Sequence, residues 1–210
     1  TYVATCDQEI FEYIESVGGK AVMTSTSHER ASDRAAEAML KIEEQMGCQV
    51  DIVVMVQGDE PMVTPQMIDE SLRPFKEDET VNVVNLMSDL ETVEEFEDPN
   101  EVKVVVNKQR DAIYFSREPI PSRKKGAKDV SMLKQVCIIP FRRNYLLAFN
   151  DMEETDLERI ESVDMMRVVE NGGKVRMVMT EGISYSVDTE EDLQNVVKKM
   201  EGDKLMSLYT

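Results

Sequence analysis

The chain has 210 residues, with 24 basic and 42 acidic side chains and a formal net charge of −18, a size that suits one domain or one domain with a small dimerisation lobe. An apolar fraction of 41% supplies a packed core, and no apolar run approaches the roughly 18 residues that cross a bilayer. The surplus of acid argues against general nucleic-acid binding, which depends on basic surface, but not against an anionic small substrate met by a local basic pocket or a metal ion.

Cys6, Cys48 and Cys137 are widely spaced and odd in number, with no CxxC pair and no zinc spacing. Reduced thiols in the cytoplasm are the expectation. No basic stretch followed by an apolar run and a cleavage site marks a signal peptide. Thr1 to Thr5 reads as the end of a strand, so the chain is expected to begin inside a domain.

Strands and helices alternate, which predicts a layered α/β fold with mostly parallel strands. Asp7 to Val17 reads as a helix closed by Gly18-Gly19, then a short strand spans Ala21 to Met23. Ala31 to Met46 is predicted helical, capped by Ser32 or Asp33 and ended by Gly47. The apolar run Asp51 to Val56 predicts a strand covered on both faces. A helix follows from Thr64 to Phe75 with Pro65 in its first turn, then a strand from Val81 to Met87. Val102 to Asn107 and Ala112 to Ser116 predict two strands joined by a four-residue turn. A strand at Val136 to Phe141, a helix at Leu157 to Glu170 ended by Asn171-Gly172-Gly173 and a strand at Val175 to Met179 come next. An extended segment from Ile183 to Val187 leads to a helix from Asp188 to about Met200.

Four stretches could carry chemistry. Gln57-Gly58-Asp59-Glu60-Pro61 lies at the carboxyl end of a strand, the edge where open α/β sheets bind ligands. Its acids could meet a hard cation, or form an acidic turn ahead of a helix. Asp188 also follows an extended segment, and with Glu191 it could equally cap the last helix. Ser27 to Arg34 gathers Ser, His and Arg side chains at a helix start, suited to a phosphate, ribose or base edge, or simply to a capped helix with a surface pair. His28, the single histidine, reads as a surface or hydrogen-bonding residue rather than a base. Arg117, in Tyr114-Phe115-Ser116-Arg117-Glu118-Pro119-Ile120-Pro121, could hold a carboxylate in two bonds or lie exposed. The basic cluster Ser122 to Lys128 reads as a solvated loop.

Taken together, several motifs resemble those of the 3-deoxy-manno-octulosonate (Kdo) cytidylyltransferases: Val56-Gln57-Gly58-Asp59-Glu60-Pro61, Asp98-Pro99-Asn100-x-Val102-Lys103-Val104-Val105, Tyr114-Phe115-Ser116-Arg117-x-Pro119-Ile120-Pro121, Leu157-Glu158-x-Ile160-Glu161-Ser162 and Val187-Asp188-Thr189-x-Glu191-Asp192-Leu193. They occur in family order and span nearly the whole chain. The resemblance implies a single domain over 1–210 with a three-layer, mostly parallel twisted sheet of the nucleotide-diphospho-sugar transferase type and a small hairpin lobe for dimerisation. It implies that CTP and an anionic sugar acid such as Kdo give a CMP-sugar and pyrophosphate, with Mg²⁺ held by Asp59 and Asp188. Arg117 and Gln57 would face the sugar acid, Ser32 and Arg34 the cytidine, and Gln135, Glu158 and Glu161 would line the substrate site. A cytoplasmic homodimer without nucleic-acid partner or membrane insertion is the implied state.

This sequence departs from the family pattern in four places. The initial strand and the R-x-x-S-x-R-L-P-x-K loop are absent from it. The usual S-G-T-D-R reads Arg30-Ala31-Ser32-Asp33-Arg34, and K-H-I-G-x-Y reads Lys134-Gln135-Val136-Cys137-Ile138-Ile139. Met165 replaces a polar Gln. The latter changes fall on the sugar side, so a different sugar acid, a different nucleotide or sugar phosphate, or a binding homologue without activity are the alternatives.

Overall fold

A computed structural model describes residues 1–126, 130–182, 185–203 and 205. β1 (Val3–Thr5) leads into α1 (Gln8–Ser16), which Asp7 caps by accepting from the backbone N–H groups of Glu9 and Ile10. β2 (Ala21–Met23) and α2 (Ala31–Met46) follow, and Gly47 ends α2 at φ 68°, a left-handed turn that costs glycine little. The start of α2 corrects expectation. Arg30 is its N-cap without a side-chain bond, and Ser32 and Asp33 already lie within the helix.

β3 (Ile52–Val56) precedes α3 (Pro65–Glu77), which Thr64 caps and Pro65 opens. After β4 (Val84–Asp89) comes α4 (Val93–Glu97), an unpredicted helix started by a reciprocal Thr92/Glu95 cap. β5 (Lys103–Val106) and β6 (Ala112–Ser116) form the expected hairpin. Two predicted single elements are each divided. The strand expected at 136–141 is β7 (Leu133–Val136) and β8 (Ile138–Arg142), with the chain changing partners at Cys137. After α5 (Arg143–Asn150), the helix expected at 157–170 is α6 (Asp156–Glu161) and α7 (Met165–Glu170), parted by Ser162 at φ 54°. β9 (Arg176–Met179) and α8 (Glu190–Met200) complete the order. The extended segment expected from Ile183 lies partly outside the described residues, as does Lys128 of the basic cluster; residues 185–187 carry no strand.

The layered α/β class is as expected, and the sheet is mixed. β1 with β2 and β4 with β9 are parallel, while β3 with β8 and the β6-β5-β7-β4 ladders are antiparallel. Alternation along β4 sorts the layers. Leu86 packs with Met67 of α3, and Val84 with Phe75 of α3. Val83 and Met87 point the other way, into a core shared with Ala36 of α2, Phe149 of α5 and Met165 of α7. β3 is packed on both faces as predicted, Val53 and Met55 toward the core of Val83 and Met87, Ile52 and Val54 toward α3. Among the described residues it pairs only with β8, and Val56 is exposed at its end.

Candidate active site

The turn after β3 is folded by its second acid. Glu60 is buried, and its Oε1 accepts from the Cys137 backbone N–H at 3.1 Å, at the point where β7 gives way to β8. The Gln57 N–H in turn donates to the Cys137 carbonyl at 3.2 Å. This anchoring leaves Asp59 facing the cavity, where the Val187 N–H donates to the Asp59 carbonyl at 2.9 Å and brings Asp188 beside it. Both acids line one cavity of about 150 Å³ together with Gln57, Arg117 and Gln135.

Asp59 Oδ1 is buried with no hydrogen-bond partner, an expensive state for a carboxylate oxygen. Burial raises the Asp59 carboxyl above its ordinary value, and the charge of Asp188 raises it further against a backbone hydrogen bond that lowers it. The alternative reading of Asp188 as a helix cap does not hold. Thr189 is the N-cap of α8, accepting from the Asp192 N–H, while Asp192 Oδ2 accepts from the Thr189 N–H. Among the described residues the Asp188 side chain accepts from the Ser186 hydroxyl, at 3.2 Å. A buried carboxylate oxygen lacking a proton donor, with a second carboxylate beside it, fits a hard divalent cation. Among the described residues no third His, Cys, Asp or Glu joins them in a ligand cluster, which suits an ion completed by substrate phosphate and water.

Among the described residues the Arg117 side chain is held by main-chain oxygens. Its Nε donates to the Glu161 carbonyl at 2.8 Å, Nη1 to the Pro99 carbonyl at 2.9 Å and Nη2 to the Ser162 carbonyl at 3.4 Å. The left-handed break at Ser162 is what turns the Glu161 and Ser162 carbonyls toward it. The Glu161 carboxylate accepts from the Arg117 N–H, the Tyr114 hydroxyl and the Ser116 hydroxyl. Glu161 therefore orients the end of β6 and does not line the cavity. Burial and the neighbouring Glu161 push the Tyr114 hydroxyl up. Gln135 does line the cavity, with Nε2 donating to Asn85 Oδ1 at 2.5 Å.

Glu158 corrects the expectation of a substrate contact. Its side chain is fully buried, and both oxygens accept from Arg167 at 2.7 Å. Three residues along a short helix from Glu161, it faces the core beneath α5. Sequence reading missed three cavity residues: Glu101, Lys134 and Asp164. Lys134 pairs with Glu101 at 3.0 Å. Burial raises the carboxyls of Glu101 and Asp164. The Asp98-Pro99-Asn100 turn and the break in Ser162-Val163-Asp164 were the available signals for Glu101 and Asp164, and the signal for Lys134 was its place at the head of the Lys134-to-Ile139 stretch, beside the substrate candidate Gln135.

A second cavity, about 1050 Å³, lies between β1, α2 and β3 and meets the first at Gln57, Asp59, Glu60, Ser162 and Asp164. Arg34 enters it from α2, with Nη1 donating to the Thr24 hydroxyl at 2.6 Å and Nη2 to the His28 carbonyl at 3.3 Å. Ser32, expected beside it, is buried and donates to Asp164 Oδ2 at 3.1 Å, so it supports the wall and offers no contact. His28 is a hydrogen-bonding residue, paired with Glu37, whose carboxyl is pulled down to about 2 by Lys41 first and then by Ser25 and His28.

A layered α/β fold with two adjoining cavities that share the paired-acid turn after β3, one of them also lined by an arginine, is compatible with a nucleotidyltransferase-like protein. The chain belongs to the cytidylyltransferase family, whose model matches residues 1–180. Proteins named 3-deoxy-manno-octulosonate cytidylyltransferase are similar to it. That of Geobacter metallireducens is 39% identical over 94% of this chain and 80% of its own length, and that of Fusobacterium nucleatum is 37% identical over 93% and 77%. The solved structure of a CMP:2-keto-3-deoxy-manno-octonic acid synthetase in complex with CTP superposes with a TM-score of 0.85 at 34% identity, covering 95% of this chain and 80% of that one. A Bacillus anthracis protein described as a glucose-1-phosphate thymidylyltransferase shares the fold, with a TM-score of 0.56 at 15% identity over 93% of this chain and 72% of that one.

Proposed function

We propose that this chain, acting as one domain, transfers CMP from CTP to a 3-deoxy-ulosonic acid such as Kdo and releases pyrophosphate, with Mg²⁺ held by Asp59 and Asp188. The observation that carries this reading is the buried, partnerless Asp59 Oδ1 beside Asp188. Magnesium bound there would neutralise charge on the α-phosphate as the bond to pyrophosphate breaks. The larger cavity suits the nucleotide, with Arg34 and Gln57 in its wall, and the smaller suits the sugar acid. Arg117 would receive the sugar carboxylate and Gln135 would face its hydroxyls. One of those hydroxyls attacks the α-phosphorus in line with the departing oxygen. Asp164, which lines both cavities, would mark the boundary between the two substrates.

A homodimer through the β5–β6 hairpin is part of this reading, supported by the edge position of β6 and by Ile113, 52% exposed on it. A cytoplasmic location is supported by three free cysteines. Among the described residues no helix is long and apolar enough to cross a membrane.

The test is pyrophosphate release from CTP and Mg²⁺ with Kdo and with related ulosonic acids. Asp59→Asn and Asp188→Asn should each lower turnover by about 100-fold or more. Full turnover in Asp59→Asn would overturn the proposal, and turnover only with another ulosonic acid would reassign the sugar.

A further inference from the structure

Lys103 is fully buried, set in β5 among valines where an apolar residue would pack without desolvation cost. Its Nζ donates to the Asp98 carbonyl at 2.7 Å and to the Arg117 carbonyl at 2.5 Å. The Pro99 carbonyl, one residue along from Asp98, accepts from Arg117 Nη1. The three bonds close a small ring: Lys103 holds the turn that holds the guanidinium, and also holds the backbone that carries it. The next two residues of that turn, Asn100 and Glu101, line the same cavity as Arg117. Burial lowers the Lys103 ammonium from its ordinary value, opposed by Asp98 first among nearby charges. Among the described residues neither Lys103 nor Arg117 belongs to a salt bridge, so both side chains rest on carbonyl dipoles, with Arg117 lining the cavity and Lys103 behind it.

We propose that Lys103 is a positioning residue for the anionic co-substrate, fixing Arg117 and the 98–101 turn as one wall of the sugar-acid cavity and leaving the nucleotide side untouched. Neither Lys103 nor Arg117 lines the nucleotide cavity, which Arg117 touches through the Ser162 carbonyl at 3.4 Å. This rests on the reading that the smaller cavity takes the sugar acid.

The experiment is steady-state kinetics of the Mg²⁺-loaded enzyme with each substrate varied in turn, for wild type, Lys103→Met and Lys103→Gln. Lys103→Met should raise KM for the sugar acid about 10- to 100-fold, the range for lost charge-assisted hydrogen bonds, with KM for CTP held within about 3-fold. Lys103→Gln, which keeps a donor, should fall between. A sugar-acid KM unchanged in Lys103→Met, or a matching rise in KM for CTP, would overturn the inference. A wild type that turns over no sugar acid would overturn the underlying reading and this inference with it. Should the variants fail to fold, ¹⁵N-lysine NMR of the wild type decides. The protected Lys103 ammonium resonance should shift on adding sugar acid and stay in place on adding CTP alone; no shift with the sugar acid would refute the role.

Discussion

Glu158 distinguishes a structural acid from a substrate contact. Glu158→Gln removes the negative charge opposite Arg167, a guanidinium only 4% exposed that keeps two carbonyl acceptors, Phe149 at 3.1 Å and Met152 at 3.3 Å, and sits 4.5 Å from the Phe149 ring. Removing one partner of a buried pair costs about 3–5 kcal/mol, and the surviving acceptors place this case near 3 kcal/mol. For a domain of this length each kcal/mol shifts Tm by about 2–4 °C, so the variant should melt about 6–12 °C below wild type. At a temperature well below that transition its KM values for CTP and for the sugar acid should match wild type, because Glu158 lines neither cavity. Thermal melts by calorimetry and pyrophosphate release at about 20 °C test both halves. The paired change Glu158→Leu with Arg167→Met should recover most of the loss, since apolar replacement of a whole buried pair is often neutral. A Tm within about 2 °C of wild type together with a tenfold rise in sugar-acid KM would refute the reasoning and return Glu158 to the substrate site.

Two further outcomes follow from buried titrating groups. Burial, helped by the charge of Asp188, raises the folded Asp59 carboxyl, so its protonated form is favoured in the fold and the stability it contributes is full at low pH and lost as pH rises through the folded value. Metal-free Asp59→Asn should therefore melt above wild type at about pH 7.5, with the difference shrinking toward about pH 4; equal melting at both ends would contradict this account. Burial, then the charges of Glu60 and Asp59, pushes the Cys137 thiol up. Iodoacetamide at about pH 8 should label exposed Cys48 and leave Cys137 intact until the chain unfolds, as read by peptide mass spectrometry; equal labelling would mean that the β7–β8 break opens in solution.

Elements set by local chemistry were legible in the sequence. Asp7, Thr64 with Pro65, and Gly47 act on backbone groups within a few residues, so their helix ends stand where residue type places them. The two divided elements depend on distant partners. An apolar run through Val136, Cys137 and Ile138 does not reveal that Glu60, 77 positions earlier in the chain, takes the Cys137 N–H and turns the strand from β4 to β3. Likewise the helical pattern of 157–170 hides Ser162, whose left-handed turn sends two carbonyls to Arg117, some 45 positions away. Asp188 was ambiguous for a related reason: Glu191 and Asp192 both follow it, and only the folded backbone selects Thr189 and Asp192 as the cap.

In so acidic a chain, residue type alone cannot assign a carboxylate its work, and partnership does. Glu158 meets Arg167, Glu43 meets Arg143 and Asp111 meets Arg176, each a junction between elements. Glu161 spends its oxygens on hydroxyls and a backbone N–H. Asp59 has an oxygen that is both buried and unserved. The reverse holds for two cations, since among the described residues Arg117 and Lys103 bond carbonyls and no carboxylate. One small cavity thus joins acids that lack a cation to an arginine that lacks an anion. On the proposed function that local imbalance, rather than the net charge of −18, would decide what the site accepts: a metal-bound phosphate at the acids and a sugar carboxylate at the arginine.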